Sequence, residues 1–121
     1  MAKINTPAAN AVLTEKDIFE KAQQLSTRFG VKVHPFLLKN GDDQVIGYVK
    51  EPSRLSKYRY LDKAMTGAMS AALELLEVCL IKEESDPRIT SEAPENDIYN
   101  IGAATFCASL LNIATDSLKK N

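Results

Sequence analysis

A strong β-hairpin signal lies between segments with helical periodicity, and it constrains the fold more than any other feature. Two runs rich in β-formers, residues 31–39 and 44–50, flank the turn sequence Asn40-Gly41-Asp42-Asp43. Proline cannot donate a hydrogen bond to a ladder, so Pro35 predicts that the first strand lies at an edge or carries a bulge. Because an isolated hairpin is marginally stable in water, this one must pack on helices or pair with another chain.

An amphipathic helix is predicted before the hairpin. Thr14 has the character of an N-cap, apolar residues follow at helical spacing as far as Phe29, and Gly30 supplies the stop. Residues 1–13 show no such period and contain Pro7, so we expect a flexible N-terminal arm.

A long helix is predicted after the hairpin, because Pro52-Ser53 breaks the strand and caps the next helix. Its apolar stripe consists of Leu55, Tyr58, Met65, Met69, Ala72, Leu76 and Cys79. Thr66-Gly67 interrupts the helix propensity and indicates a kink or a close helix contact. The Ala- and Leu-rich stretch 64–81 is the most deeply buried candidate in the chain.

The last predicted helix follows a polar connector, residues 82–96, in which acidic residues outnumber basic ones; we expect a solvated linker. Asp97 caps this helix, and its stripe consists of Ile98, Ile101, Ala104, Ala108, Leu111, Thr115 and Leu118. The predicted fold is therefore α+β and mainly α-helical, with three main helices and one β-hairpin. Residues 14–121 are expected to form a single globular domain.

The composition is that of a soluble globular protein, with 45% hydrophobic and 26% charged residues. A net charge of −1 argues against a strong electrostatic footprint for nucleic acid. No apolar run approaches the roughly 20 residues of a membrane-spanning helix, and the N-terminus lacks the pattern of a secretory signal. Cys79 and Cys107 lie in apolar helical patterns, so we interpret them as small buried hydrophobes in an intracellular, reducing compartment.

No set of residues specifies a reaction. His34 is the only histidine, and its neighbours in the sequence supply neither a nucleophile nor a carboxylate partner. One histidine and two distant cysteines do not match a zinc site, and the five glycines do not gather into a phosphate-binding loop. We therefore expect no enzymatic activity, no catalytic residues, no metal and no cofactor.

The start of the long helix raises the question of nucleic-acid binding, because four basic residues stand there beside two tyrosines. The basic residues are Arg54, Lys57, Arg59 and Lys63. On a helix they spread around the cylinder, and Glu51 and Asp62 dilute them. Tyr58 falls on the apolar stripe, which favours a core position over a base-stacking platform.

Three short motifs occur in a fixed order with the predicted elements. A strand ends in Lys-Glu-Pro-Ser-Arg at 50–54, the long helix ends in Leu-Leu-Glu-Val-Cys-Leu-Ile at 75–81, and Asp-Pro-Arg-Ile occupies 86–89. In this combination the chain resembles the small tail assembly chaperones of long-tailed bacteriophages and prophages. The resemblance covers roughly residues 31–120, and its motifs are short and non-catalytic.

The resemblance implies a non-enzymatic assembly factor in the cytoplasm of the bacterial host, absent from the mature virion. Such chaperones coat the helical tape-measure protein before tail-tube subunits polymerise around it, so the implied partners are the tape-measure protein and also the tail-tube protein. An amphipathic client helix needs its apolar stripe covered, and the Pro35-bearing edge offers a route to a homo-oligomer. The predicted contact residues, each equally suited to a core, are Val33, Phe36, Tyr48, Tyr58 and Tyr60.

Two other functions stay open. A structural virion component, such as a head–tail connector or minor tail subunit, would be present in purified particles. A small nucleic-acid-binding regulator would show salt-sensitive DNA binding. Members of the resembled family are often made in a short and a frameshifted long form, and residues 118–121 suit an adenine-rich slippery run, although lysines at a helix end also suit its dipole.

Overall fold

The computed structural model describes residues 14–120, with side chains as far as Leu111. The elements are α1 Glu15–Phe29, β1 Val33–Asn40, β2 Asp43–Lys50, α2 Arg54–Ala64, α3 Ala68–Cys79 and α4 Asp97–Lys120. Three short 3₁₀ turns, Lys82–Glu84, Pro87–Ile89 and Pro94–Asn96, lie between α3 and α4. The mainly helical α+β class is confirmed, whereas the predicted arm at 1–13 lies outside the described residues.

Helix α1 begins and ends where its sequence predicts. The Thr14 hydroxyl accepts a hydrogen bond from the Asp17 backbone N–H, and the Thr14 N–H donates to the Asp17 carboxylate, both at 3.2 Å. This reciprocal capping box satisfies two amides at the helix start. Gly30 ends the helix in the left-handed region at φ 73° and donates its N–H to the Ser26 carbonyl.

The hairpin is confirmed, with small shifts at its ends. The strands begin at Val33 and Asp43, and β1 extends to Asn40, so the connection is the two-residue turn Gly41-Asp42. Gly41 has φ 63°, a conformation that costs glycine no steric strain.

Helices cover both faces of the hairpin, because side chains alternate between the faces along each strand. One face packs on α1, and the opposite face packs on α3 and α4. The α1 cluster consists of Ile18, Ala22, Leu25, Val33, Tyr48 and Ile81. The larger cluster includes Phe36, Val45, Val49, Ala72, Leu75, Leu76, Cys79, Ile89, Tyr99, Ala103, Ala104 and Cys107.

The outer edge of β2 is covered by the chain segment after α3. The Ile81 N–H donates to the Tyr48 carbonyl at 2.9 Å, and the Asp86 N–H donates to the Ile46 carbonyl at 3.0 Å. The Ser85 hydroxyl accepts from the Tyr48 N–H at 3.0 Å. These bonds occupy the outward-facing backbone groups of β2, so the hairpin has one closed edge.

The outer edge of β1 has no neighbouring strand in the described part of the chain. Its Val33 N–H donates to the Ser26 hydroxyl at 2.9 Å, and Pro35 has no N–H to offer. The prediction that Pro35 marks an edge strand is therefore confirmed.

The connector between α3 and α4 was wrongly predicted to be a solvated linker along its whole length. The Ile89 side chain is 0% exposed and belongs to the larger cluster, and the Ile89 carbonyl accepts from the Asn100 amide at 2.9 Å. Arg88 Nη2 lies 2.9 Å from Asp86 Oδ2. A single isoleucine among polar residues has no period, so the sequence pattern does not reveal its burial.

Helices α2 and α3 are separate, so the described chain has four main helices where three were predicted. The break lies at Met65-Thr66-Gly67. The Lys63 carbonyl accepts from the N–H groups of Thr66 and Gly67, both at 3.0 Å, and from the Thr66 hydroxyl at 3.1 Å. Threonine and glycine both have low helix propensity, so the chain leaves the helical path there at little cost.

Helix α4 buries a face that differs in part from the predicted one. Ile98 and Ile101 were assigned to the buried stripe, but their side chains are exposed. As far as Leu111, the buried residues of α4 are Tyr99, Ala103, Ala104, Cys107, Ala108 and Leu111; of these, Ala104, Cys107, Ala108 and Leu111 were predicted to be buried. Small residues allow close packing on β1, and a Cβ at Gly102 would lie 3.2 Å from a Leu38 methyl carbon.

Candidate protein-interaction surface

Helix α2 turns an apolar stripe towards solvent. The side chains of Leu55, Tyr58, Leu61 and Met65 are 69%, 58%, 53% and 85% exposed. Leu55, Tyr58 and Leu61 belong to α2, and Met65 is its C-cap residue, which keeps a helical backbone with φ −65° and ψ −26°. At about 100° per residue, these four positions share an arc of about 120°. No residue of α2 is buried. We call these four residues the α2 stripe.

The opposite face of α2 packs on α3. Its partly buried residues include Ser56, Tyr60 and Ala64, of which Tyr60 packs against the larger core cluster. Because Ser56 and Ala64 are small and Tyr60 fills the contact, α2 docks on the domain without using its apolar stripe. Several large apolar side chains exposed on one face of a helix are typical of an interaction site.

Three ion pairs attach α2 to its own domain. Lys57 Nζ lies 3.3 Å from Glu51 Oε2. Arg59 Nη2 and Lys63 Nζ lie 3.5 Å and 3.3 Å from the same oxygen of Glu74 on α3. These contacts lower the pKa of the Glu74 carboxyl, with the Lys63 hydrogen bond as the largest cause. Three of the four basic side chains of α2 therefore already have acidic partners.

Two charged side chains of α2, Arg54 and Asp62, form no ion pair or side-chain hydrogen bond with the other described residues. They stand four residues before and four residues after Tyr58. Both lie within the arc of the α2 stripe, about 40° to either side of Tyr58, where a bound partner would meet them.

The start of α2 is also tied to the hairpin. His34 Nε2 lies 2.6 Å from Glu51 Oε1, and Lys57 contacts the other oxygen of the same carboxylate. Burial raises the pKa of the Glu51 carboxyl, but the hydrogen bonds to His34 and Lys57 outweigh it, so the pKa is lowered overall. The sequence offered no carboxylate partner for His34; the fold supplies one from the end of the hairpin.

The structure separates the five predicted contact residues. Val33 and Tyr48 are buried together in the α1 cluster, and Phe36 is buried in the larger cluster. Tyr58 and Tyr60 lie on opposite faces of α2, the first in the α2 stripe and the second against the core. Tyr58 is therefore the member of the set that a partner can reach without opening the domain.

The other members of the α2 stripe were missed as surface residues. Leu55, Met65 and Met69 were wrongly assigned to a buried stripe, as Tyr58 was, and Leu61 received no role; all are exposed. The available signal was the break at Thr66-Gly67. Once the helix is divided, the residues before the break no longer need to face the same side as those after it.

A second apolar surface lies between α1 and β1. Phe19 is exposed on α1, and the groove beside it is lined by Glu15, Ile18, Phe19, Pro35, Phe36 and Leu37. This groove adjoins the open edge of β1. None of its lining residues belongs to the α2 stripe.

The described residues offer little reactive chemistry. Among them, no three or more His, Cys, Asp or Glu residues are arranged to hold a metal ion. Cys79 and Cys107 are free thiols, and burial raises their pKa to about 11 and about 12. Both therefore stay protonated at neutral pH, as the interpretation of small buried hydrophobes requires.

Within the described range, none of the helices combines the length and the apolar character needed to cross a membrane. Comparisons with known proteins gave no match to a protein family, to a curated protein or to a solved structure. Function is therefore inferred from the geometry of the exposed surface and from the resemblance seen in the sequence.

Proposed function

We propose that the protein is a non-enzymatic tail assembly chaperone of a long-tailed bacteriophage or prophage. It binds the tape-measure protein and keeps it soluble until tail-tube subunits assemble around it. It acts in the cytoplasm of the bacterial host and is absent from the mature virion. The observation that supports this proposal best is the α2 stripe, an apolar surface on a helix whose opposite face holds it to the domain.

The α2 stripe has the form that recognition of an amphipathic helix requires. Its side chains recur at three- and four-residue spacing over about 15 Å, which matches about three turns of a client helix. Helix pairs of this kind bury the apolar side chains of both partners and remove from water the surface that would make an isolated tape-measure helix aggregate.

The size and charge of α2 suit a reversible contact. Two short helices bury well under the roughly 1,200–2,000 Å² of a stable protein interface, so a single contact is weak. Weak contacts repeated along a long client hold it in solution and still allow the tail-tube protein to displace the chaperone. Lys57, Arg59 and Lys63 already pair with Glu51 and Glu74. The remaining charges, Arg54 and Asp62, favour a client helix that carries charges of both signs among its apolar residues.

The test is co-expression of the chain with the tape-measure protein of the same phage, followed by affinity capture of either partner. The double variant Leu61→Ser with Met65→Gln should lose co-purification, because both side chains are exposed members of the α2 stripe. Ile98→Ser is the matched control, since Ile98 is similarly exposed on α4. Equal loss in the control, or no loss in the double variant, would refute the assignment of the client to α2.

A structural virion component is the alternative, and the same exposed apolar surface suits a subunit that stays assembled. Purified particles distinguish the two functions. Stoichiometric amounts of the chain in finished particles, with an insoluble and unbound tape-measure protein, would overturn the chaperone proposal. Absence of the chain from finished particles, together with co-purification of the chain and a soluble tape-measure protein, would support the chaperone proposal.

A further inference from the structure

We infer that α2 also pairs with α2 of a second copy, antiparallel and about a two-fold axis at Tyr58, so that each copy covers the α2 stripe of the other. The pairing depends on the side chains of α2 alone. Its role, in which the tape-measure protein displaces the second copy, rests on the function proposed above. In the absence of the tape-measure protein, the α2 stripe is then covered by the second copy.

The two unpaired charges on α2 are placed symmetrically for such a pair. Arg54 and Asp62 lie about 6 Å along the helix axis to either side of Tyr58 and about 40° to either side around it. A two-fold axis at Tyr58 therefore brings Arg54 of one copy level with Asp62 of the other, and the reverse. At an interaxial distance of about 8–10 Å their Cβ atoms are about 6 Å apart, within reach of an ion pair.

The apolar residues are self-complementary in the same register. Tyr58 meets Tyr58 of the second copy at the axis, and Leu55 lies level with Leu61. An isologous contact needs one patch that complements itself, and the α2 stripe, with Arg54 and Asp62 within its arc, meets that condition. Each copy brings both the acid and the base, so the contact has two ion pairs.

Repulsion between the two basic helices is limited by the ion pairs within each copy. Glu51 and Glu74 neutralise Lys57, Arg59 and Lys63 in part, at 3.3–3.5 Å. The charges left facing the second copy are mainly Arg54 and Asp62, one of each sign.

The small area of the contact predicts a weak dimer. Two helices of this length bury on the order of 700 Å² in total, about half of a standard interface, so a dissociation constant on the order of 100 μM is expected. Such a pair exchanges readily and can be displaced by a longer amphipathic client.

Charge reversal tests the register. The measurement is the dimer dissociation constant by analytical ultracentrifugation for the full chain and for Arg54→Asp, Asp62→Arg and the double variant. Each single variant puts two like charges in contact at both ends of the pair and should weaken the dimer at least about fivefold, whereas the double variant restores opposite charges and should recover it. All three variants change exposed side chains, and circular dichroism confirms that they fold.

The inference falls if the wild-type chain stays monomeric up to about 1 mM, if the single variants dimerise like wild type, or if the double variant fails to recover. Addition of the tape-measure protein tests displacement, which requires dimers to give way to a mixed complex. A dimer that obeys the charge swap without binding the tape-measure protein supports the pairing and refutes the proposed function. A chain that binds the tape-measure protein but never dimerises supports the proposed function and refutes the pairing.

Discussion

The buried isoleucine of the connector allows a quantitative test of the fold. Ile89 is 0% exposed and belongs to the larger cluster, and a Cβ added at Gly47 on β2 would lie 2.8 Å from Ile89 Cδ1. Ile89→Ala removes three carbon atoms from this contact and leaves a cavity. Substitutions of buried isoleucine by alanine cost about 2–5 kcal/mol, and the packed surroundings place this one near 3 kcal/mol.

The assay is urea denaturation followed by far-ultraviolet circular dichroism, with Ile98→Ala as the control. Ile98 is 52% exposed, so the same change there should cost less than about 1 kcal/mol. A loss of about 3 kcal/mol is a large fraction of the roughly 5–15 kcal/mol that stabilises a typical domain, and it should lower the melting temperature by about 12 °C or more. Equal losses in the two variants, or a loss below about 1 kcal/mol for Ile89→Ala, would refute the placement of the connector in the core.

Three further outcomes are expected. Gly47→Ala should destabilise the domain by about 2 kcal/mol in the same urea assay, because the new Cβ would overlap the Phe36 ring; unchanged stability would contradict this packing. Burial raises the pKa of Asp86, but hydrogen bonds from Arg88 outweigh it and hold the pKa below its ordinary value. The resulting stabilisation is present above the unfolded pKa and is lost as pH falls through the folded one, so Asp86→Asn should flatten the acid side of a stability–pH profile. Cys79 and Cys107 should resist a thiol-reactive disulfide at neutral pH until urea exposes them, and rapid labelling of the native chain would contradict their burial.

The parts of the fold that local chemistry determines were predictable from the sequence. Thr14 and Gly30 mark the ends of α1 by capping and by left-handed backbone geometry, and the turn at Gly41 joins two strands of the expected length. These signals act within a few residues, so they do not depend on the rest of the domain.

The parts that depend on tertiary packing were not predictable. Ile89 is buried because α4 and β2 meet over it, and no neighbouring residue in the sequence indicates that contact. The orientation of α2 could not be predicted from the sequence for a related reason. The apolar spacing runs on from Leu55 through Met65 into α3, but the break at Gly67 lets the two helices rotate independently.

The candidate site was predicted in part. Aromatic residues suit both cores and interfaces, so sequence alone could not separate Tyr58, which is exposed, from Tyr48, which is buried. Leu61 belongs to the α2 stripe because it lies on the outward face of α2. Which face points outward becomes clear only from the packing of Tyr60 on the core.

The most direct test of the central claim is site-specific photo-crosslinking. A photoreactive amino acid replaces Leu61 in one variant and Ile98 in another, both exposed positions on different helices, and each variant is co-expressed with the tape-measure protein and irradiated. The chaperone proposal predicts a crosslink to the tape-measure protein from position 61 and none from position 98. Crosslinking from position 98 alone, or from neither position while the two proteins still co-purify, would contradict the claim that α2 is the client-binding surface.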